Sequence, residues 1–93
     1  MKEITFEAFY HLYQTEMPNL VDVREVDEFE SVHLERAHNF PLSTLAEQYT
    51  QLDKNQTYYL ICKSGKRSAR ACHFLADQGY DVINVQGGMD AFE

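Results

Sequence analysis

The 93-residue sequence contains no tryptophan, two cysteines, two prolines and four glycines. Two cysteines are too few for the several disulfides on which small secreted domains depend, so we expect a reduced, intracellular setting. No run of about 18 consecutive apolar residues occurs, and the N-terminus carries acidic residues where a signal peptide needs an apolar segment. We therefore expect a cytoplasmic protein with no membrane partner.

Positive charge is also scarce, since eight Lys and Arg residues face 15 Asp and Glu residues and the net charge is -7. Nucleic acids and anionic membrane surfaces attract the opposite charge, so neither is an expected partner. Four of the eight cations nevertheless follow one cysteine within a short stretch. They are Lys63, Lys66, Arg67 and Arg70, after Cys62. Half of the positively charged residues of this acidic chain are thus close in sequence to a single thiol.

The hydrophobic content of 44% is sufficient for one modest core, and we predict a single domain over residues 1–93. Short apolar runs rich in β-branched or aromatic residues predict strands. The predicted strands are Leu20–Val23, Ala37–Phe40, Tyr58–Cys62 and Val82–Val85, with a short fifth around Glu3 and Ile4. Because segments with helical spacing alternate with these strands, we predict an α/β fold. Its central sheet is mostly parallel, has four or five strands and is flanked by helices on both faces.

Helices are predicted from apolar stripes and from their capping residues. The first stripe consists of Phe6, Phe9, Tyr10 and Tyr13. Thr5 is placed to cap this helix, and Asp27 and Ser43 are candidate starts of two further helices. The strongest helical pattern runs from about Arg67 to Gln78, where Gly79 follows at the position of a left-handed C-cap.

Cys62 ends a predicted strand and is followed by a tight turn containing Gly65 and then by a helix. Backbone N–H groups of such a loop converge and stabilise an anionic sulfur. The cations at Lys63, Lys66 and Arg67 act in the same direction, lowering the thiol pKa from its free value of ~8.5. We expect Arg67 to point inward, because its planar fork suits a tetrahedral oxyanion, and the lysines to be solvated. A cysteine at the end of a buried strand is often only a small core residue. A core residue does not require adjacent cations, so the cations beside Cys62 favour a functional role.

Several motifs make the sequence resemble the rhodanese, or thiosulfate sulfurtransferase, family over nearly its whole length. The loop Cys62-Lys63-Ser64-Gly65-Lys66-Arg67-Ser68 matches the pattern Cys-x-Ser-Gly-x-Arg-Ser. The segments that resemble other family motifs are Leu20-Val21-Asp22-Val23-Arg24-Glu25, Asn39-Phe40-Pro41-Leu42 and Asn84-Val85-Gln86-Gly87-Gly88-Met89-Asp90-Ala91-Phe92. Four motifs in the right order make an accidental match improbable. The resemblance implies a rhodanese-like fold.

The sequence departs from the family pattern most clearly at residues 32–37. Val32-His33-Leu34-Glu35-Arg36-Ala37 stands where the family usually has Gly-His-Ile-Pro-Gly-Ala. Both glycines and the proline that normally tighten this turn are therefore replaced. The remaining histidine is expected to be a hydrogen-bonded structural residue. Phe92 takes the place of the usual tryptophan.

The resemblance implies that the Cys62 thiolate attacks the outer sulfur of thiosulfate or another sulfane donor and releases sulfite. The resulting persulfide would be held by the backbone amides of residues 63 to 68, which we predict to form the anion-binding loop. Cyanide, a thiol or a protein would then accept the sulfur. Asp22 and Arg24 are predicted to support the loop or to pair with Glu28, although an ordinary ion pair near the surface fits them equally. We expect no cofactor, and a monomer or weak dimer.

Two other readings of the active loop remain open. A phosphatase or arsenate reductase is one, but those enzymes use Cys-x5-Arg loops and the spacing from Cys62 to Arg67 is Cys-x4-Arg, which suits a single sulfur better than a phosphate. The other is a persulfide carrier or binding module that does not turn over.

Neither the second cysteine nor the histidines predict a further site. Cys72 shares a helical face with Leu75 and Ala76, so we predict a core residue rather than a resolving thiol. The four histidines show no paired spacing with one another or with cysteine, and no metal is expected.

Overall fold

The computed structural model describes residues 1–92, in which five strands form one parallel sheet. The strands are β1 (Lys2–Thr5), β2 (Asn19–Asp22), β3 (His38–Asn39), β4 (Thr57–Ile61) and β5 (Asp81–Gln86). Their order across the sheet is β1-β5-β4-β2-β3, and every neighbouring pair is parallel. The predicted α/β fold with a parallel sheet is confirmed. β3 is shorter than predicted, and β4 ends one residue before Cys62.

Within residues 1–92, four α-helices connect the strands. They are α1 (Phe6–Glu16), α2 (Val26–Ser31), α3 (Leu45–Gln48) and α4 (Lys66–Asp77), and 3₁₀ turns lie at Leu42–Thr44, Tyr49–Gln51 and Gly88–Ala91. The Thr5 hydroxyl accepts a hydrogen bond from the Ala8 N–H at 3.2 Å, so the predicted cap of α1 is confirmed. Gly79 follows α4 with a φ of +95°, as predicted for a left-handed cap. Within residues 1–92, no helix has the length and apolar character needed to cross a membrane.

Two predicted helix starts are wrong. α2 begins at Val26, one residue before Asp27, and the backbone N–H of Glu25 donates to Glu28 Oε1 at 3.1 Å. Ser43 does not cap a helix, because it lies inside the 3₁₀ turn that precedes α3. Its hydroxyl instead donates to Glu25 Oε1 at 2.6 Å, which ties this turn to the start of α2.

Alternation along the strands divides the core into two clusters, one on each face of the sheet. On one face, Phe6, Phe9 and Tyr13 of α1 pack with Leu20, Ile61 and Val85. The opposite cluster joins strands β2, β4 and β5 to α3 and α4. It contains Val21, Leu60, Cys62, Val82, Leu45, Ala71, Cys72 and Leu75. Cys62 and Cys72 therefore lie on the same side of the sheet.

The segment 32–37 keeps a tight turn without its usual glycines. The Ala37 N–H donates to the Leu34 carbonyl at 3.2 Å, and Arg36 adopts a left-handed φ of +70°. The Arg36 guanidinium lies 4.7 Å from the centre of the Tyr13 ring and donates to the Tyr13 carbonyl at 3.2 Å. These contacts to α1 offset the backbone strain that a glycine would avoid. His33 has a structural role, because its ring stacks on the Phe29 ring with 3.7 Å between the ring centroids.

Candidate active site

Cys62 follows the last residue of β4, at the carboxyl edge of the sheet, where sites of parallel α/β folds gather. Its carbonyl accepts the Met89 N–H at 2.8 Å, and the Lys63 carbonyl accepts the Asp90 N–H at 2.9 Å. The loop after β4 is therefore anchored to the 3₁₀ turn that follows β5. This anchoring fixes the backbone at Cys62 and immediately after it.

The Cys62 sulfur is surrounded by hydrogen-bond donors although the residue is 0% exposed. The Gly65 N–H donates to Sγ at 3.0 Å, and the Ser68 hydroxyl lies 3.3 Å from Sγ. Gly65 is the N-cap residue of α4 and has a φ of +100°, a left-handed conformation that glycine adopts without steric cost. The sulfur is thus buried in a polar cradle.

Burial raises the pKa of the Cys62 thiol, but the hydrogen bonds lower it by more. The donors are the Ser68 hydroxyl and the N–H groups of Ser68, Gly65 and Ser64. The net result is a pKa below that of an ordinary thiol, because each donor stabilises the thiolate. This arrangement favours a nucleophilic sulfur.

Among the cations of the loop, Arg67 is not placed as predicted. Arg67 does not point at the sulfur, because its Nη1 and Nη2 donate to the two Glu28 carboxylate oxygens at 2.6 and 2.9 Å. This bonding lowers the pKa of Glu28 to about 2. Lys63 Nζ donates to Asp90 Oδ1 at 2.6 Å, and Lys66 is exposed at the start of α4. Backbone amides and one hydroxyl, rather than cations, hold the sulfur.

Asp22 and Arg24 form a buried ion pair at the carboxyl end of β2. They are 0% and 5% exposed, so the interpretation as a surface pair is wrong. Arg24 Nη2 donates to Asp22 Oδ2 at 2.8 Å and to the Val32 carbonyl at 2.7 Å. Toward Glu28, Arg24 contacts only the backbone carbonyl, at 3.4 Å. The pair thus fastens the end of α2, whose Glu28 in turn holds Arg67.

Two residues near the loop were not recognised as site residues from the sequence. Asn84 on β5 is 2% exposed and contacts both Gly65 and Ser68. A Cβ on Gly88 would lie 2.3 Å from the Cys62 carbonyl oxygen and 2.7 Å from that of Lys63. Only glycine fits there, so Gly88 allows the 3₁₀ turn to approach the loop. The signal for Asn84 was a polar residue in an otherwise apolar strand.

A surface cavity of about 470 Å³ adjoins the loop. Its lining consists of Arg24, Glu28, Ser31, Val32, Lys63, Met89, Asp90 and Phe92. Lys63 reaches this cavity, whereas Cys62 does not line it. In the part of the chain that the structure describes, no group of three or more His, Cys, Asp and Glu side chains is arranged to hold a metal ion.

Comparison with known proteins agrees with this geometry. The sequence model of the rhodanese-like domain family matches residues 5–93. The chain belongs to this family. The putative sulfurtransferase YtwF of Bacillus subtilis is 39% identical over 74 residues, which cover 80% of this chain and 72% of YtwF.

A sulfurtransferase of Allochromatium vinosum is 33% identical over 94 residues, covering 99% of this chain and 88% of that protein. The crystal structure of SSP1007 from Staphylococcus saprophyticus superposes with a TM-score of 0.95 at 33% identity. This match covers 100% of the present chain and 94% of the other. The rhodanese-like fold and membership of a sulfurtransferase family are therefore established.

Proposed function

We propose that this protein is a sulfurtransferase that moves sulfane sulfur from thiosulfate or a similar donor to a nucleophilic acceptor through a persulfide on Cys62. The observation that carries the proposal is the Gly65 N–H donating to Cys62 Sγ at 3.0 Å, inside a loop that lowers the thiol pKa. A thiolate held by amides is a ready nucleophile for a sulfur–sulfur bond.

In the first half-reaction, the Cys62 thiolate attacks the outer sulfur of thiosulfate. The sulfur–sulfur bond of thiosulfate breaks, its electron pair leaves with sulfite, and Cys62 carries a persulfide. In the second, cyanide or a thiolate attacks the outer sulfur of the persulfide, and the electron pair of that bond returns to Cys62. With cyanide the product is thiocyanate, and no external oxidant or reductant is needed.

Access to the sulfur requires a small local movement, because Cys62 is 0% exposed. Ser64 and Lys66 are exposed residues of the loop that holds Sγ. We infer that the donor enters between these residues. Lys66 and Arg70 lie one helical turn apart on α4 and are both exposed, so they attract an anionic donor in an otherwise acidic protein.

The ion pair between Arg67 and Glu28 argues against phosphatase activity. A phosphatase loop needs its arginine free to hold the oxygens of the phosphate group. Here both terminal nitrogens of Arg67 donate to the Glu28 carboxylate. The loop therefore offers its amides to one sulfur and offers no arginine fork to a tetrahedral anion.

The test is to incubate the protein with thiosulfate and cyanide and to measure thiocyanate over many turnovers. Cys62→Ser should abolish its formation, whereas Cys72→Ser, the matched control, should retain it. One equivalent of thiocyanate with no further turnover would identify a persulfide carrier instead of an enzyme. Unchanged activity in Cys62→Ser would overturn the proposal.

A further inference from the structure

A buried amide on β5 reaches the hydroxyl that contacts the nucleophile. Asn84 Nδ2 donates to the Gly65 carbonyl at 3.2 Å, and Asn84 Oδ1 accepts from the Ser68 hydroxyl at 2.6 Å. The Gly65 carbonyl has no hydrogen to give, so it must face the NH₂ group of Asn84. The orientation of the amide is thereby fixed, and its oxygen must face Ser68.

The Ser68 hydroxyl has one hydrogen and two acceptors within reach. Asn84 Oδ1 is at 2.6 Å and Cys62 Sγ is at 3.3 Å. When Cys62 is a neutral thiol, its S–H donates to the Ser68 oxygen while the Ser68 hydrogen stays on Asn84, and every group is satisfied. When Cys62 is a thiolate, the hydroxyl has to turn toward the sulfur and leave Asn84 Oδ1 without that donor.

We propose that Asn84 is a positioning residue that competes with the Cys62 sulfur for the Ser68 hydrogen and thereby sets how readily Cys62 ionises. The inference rests on the proposed function, in which Cys62 alternates between a thiolate and a persulfide. Once the persulfide forms, its negative charge lies on the outer sulfur, and the hydrogen returns to Asn84. The Ser68 hydroxyl thus has two orientations, one toward Asn84 Oδ1 and one toward Cys62 Sγ, and the chemical state of the sulfur decides which of them it adopts.

The charged groups around the loop are engaged with one another. Asp22 pairs with Arg24 at the end of β2, and Glu28 of α2 pairs with Arg67 of α4. Lys63 pairs with Asp90 of the 3₁₀ turn, while Lys66 is exposed to solvent. Burial raises the pKa of the neighbouring Cys72 thiol to about 12, so Cys72 stays neutral. The Ser68 hydroxyl is therefore a group that can reorient when Cys62 ionises, whereas the ion pairs around the loop stay in place.

The experiment is a double-mutant cycle on the pH midpoint of Cys62 alkylation by iodoacetamide. It uses the wild type, Asn84→Leu, Ser68→Ala and the double variant, with the modified Cys62 peptide measured by mass spectrometry. Ser68→Ala should raise the midpoint because it removes a donor to the thiolate. In the protein that keeps Ser68, Asn84→Leu should lower the midpoint. The shift caused by Asn84→Leu should be about half to one pH unit more negative there than in the Ser68→Ala protein.

The Ser68→Ala background separates competition for the hydrogen from a merely structural role. If Asn84 acts only by holding the Gly65 carbonyl, Asn84→Leu shifts the midpoint equally in both backgrounds, and the inference is wrong. Asn84→Ala provides a second, smaller variant if Asn84→Leu does not fold. It also removes the competing acceptor, so it should lower the midpoint more when Ser68 is present, and equal shifts in both backgrounds would again contradict the inference.

Thiocyanate formation by the wild type is measured alongside, so that the two proposals fail separately. Turnover without any coupling between Ser68 and Asn84 would overturn the role of Asn84 and leave the function standing. Coupling without thiocyanate would support the role of Asn84 and contradict the sulfurtransferase proposal.

Discussion

The two cysteines of this chain are equally buried and belong to one hydrophobic cluster, yet their thiols differ in acidity. Burial raises the pKa of both. At Cys62, donors from Ser68, Gly65 and Ser64 outweigh burial and lower the pKa, whereas at Cys72 burial dominates and raises the pKa to about 12. Cys72 lies inside α4, where backbone N–H groups are used within the helix. The supply of unpaired donors, and not solvent exposure, distinguishes a nucleophile from a core residue here.

Selective alkylation is the largest expected consequence of this difference. A thiol with a pKa of about 12 is ionised to only ~10⁻⁴ at pH 8, so iodoacetamide should modify Cys62 at least ~1000-fold faster than Cys72. The measurement is the time course of each modified peptide by mass spectrometry. Comparable rates in the folded protein would show that the loop does not set the acidity.

Gly88→Ala should damage the Cys62 region specifically. The new Cβ would meet the Cys62 and Lys63 carbonyl oxygens at 2.3 and 2.7 Å, so the loop must move. We expect a loss of about 3 kcal/mol in unfolding free energy and a Cys62 alkylation midpoint closer to that of an ordinary thiol.

Gly79→Ala is the matched control for that substitution. Gly79 also has a left-handed φ, +95°, but its new Cβ meets only the Lys54 side chain, at 3.7 Å. We expect a cost of about 1 to 2 kcal/mol from backbone strain alone, with the Cys62 midpoint unchanged. Chemical denaturation and alkylation of both variants test the difference, and equal midpoints would contradict it.

Cys72→Ala should affect stability without affecting the nucleophile. Removing a fully buried sulfur from the core costs about 1 kcal/mol. Because the Cys72 thiol is neutral at ordinary pH, its removal should not move the alkylation midpoint of Cys62. A shifted midpoint, measured beside a denaturation curve, would show that the two sulfurs are coupled.

Lys66→Gln should have only a small effect on the Cys62 alkylation midpoint. Lys66 is exposed and its charge is screened, so we expect the alkylation midpoint to move by less than about 0.3 pH unit. Ser68→Ala, which removes a direct donor, should move it further. A larger midpoint shift in Lys66→Gln than in Ser68→Ala would instead support the sequence-based prediction that the cations lower the thiol pKa.

The sequence was sufficient to predict the parallel sheet and the placement of Cys62 beside an amide-lined turn. Both depend on local patterns, namely apolar runs and the glycine before a helix. The partner of Arg67 was not predictable in this way, because Glu28 is 39 positions away along the chain and meets it only after folding. Ser43 resembled a helix cap, but a tertiary hydrogen bond to Glu25 took its hydroxyl. Asn84 was assigned to a strand and to a family motif but to no role in the site, since the face and partners of a strand residue depend on its neighbours in the sheet.

The anchoring of the Cys62 and Lys63 carbonyls by Met89 and Asp90 also makes the acidity of the thiol depend on a distant part of the chain. Local unfolding of the Gly88 turn would release both carbonyls. The amides around the sulfur would then lose their fixed orientation, and the thiol would return toward its ordinary acidity.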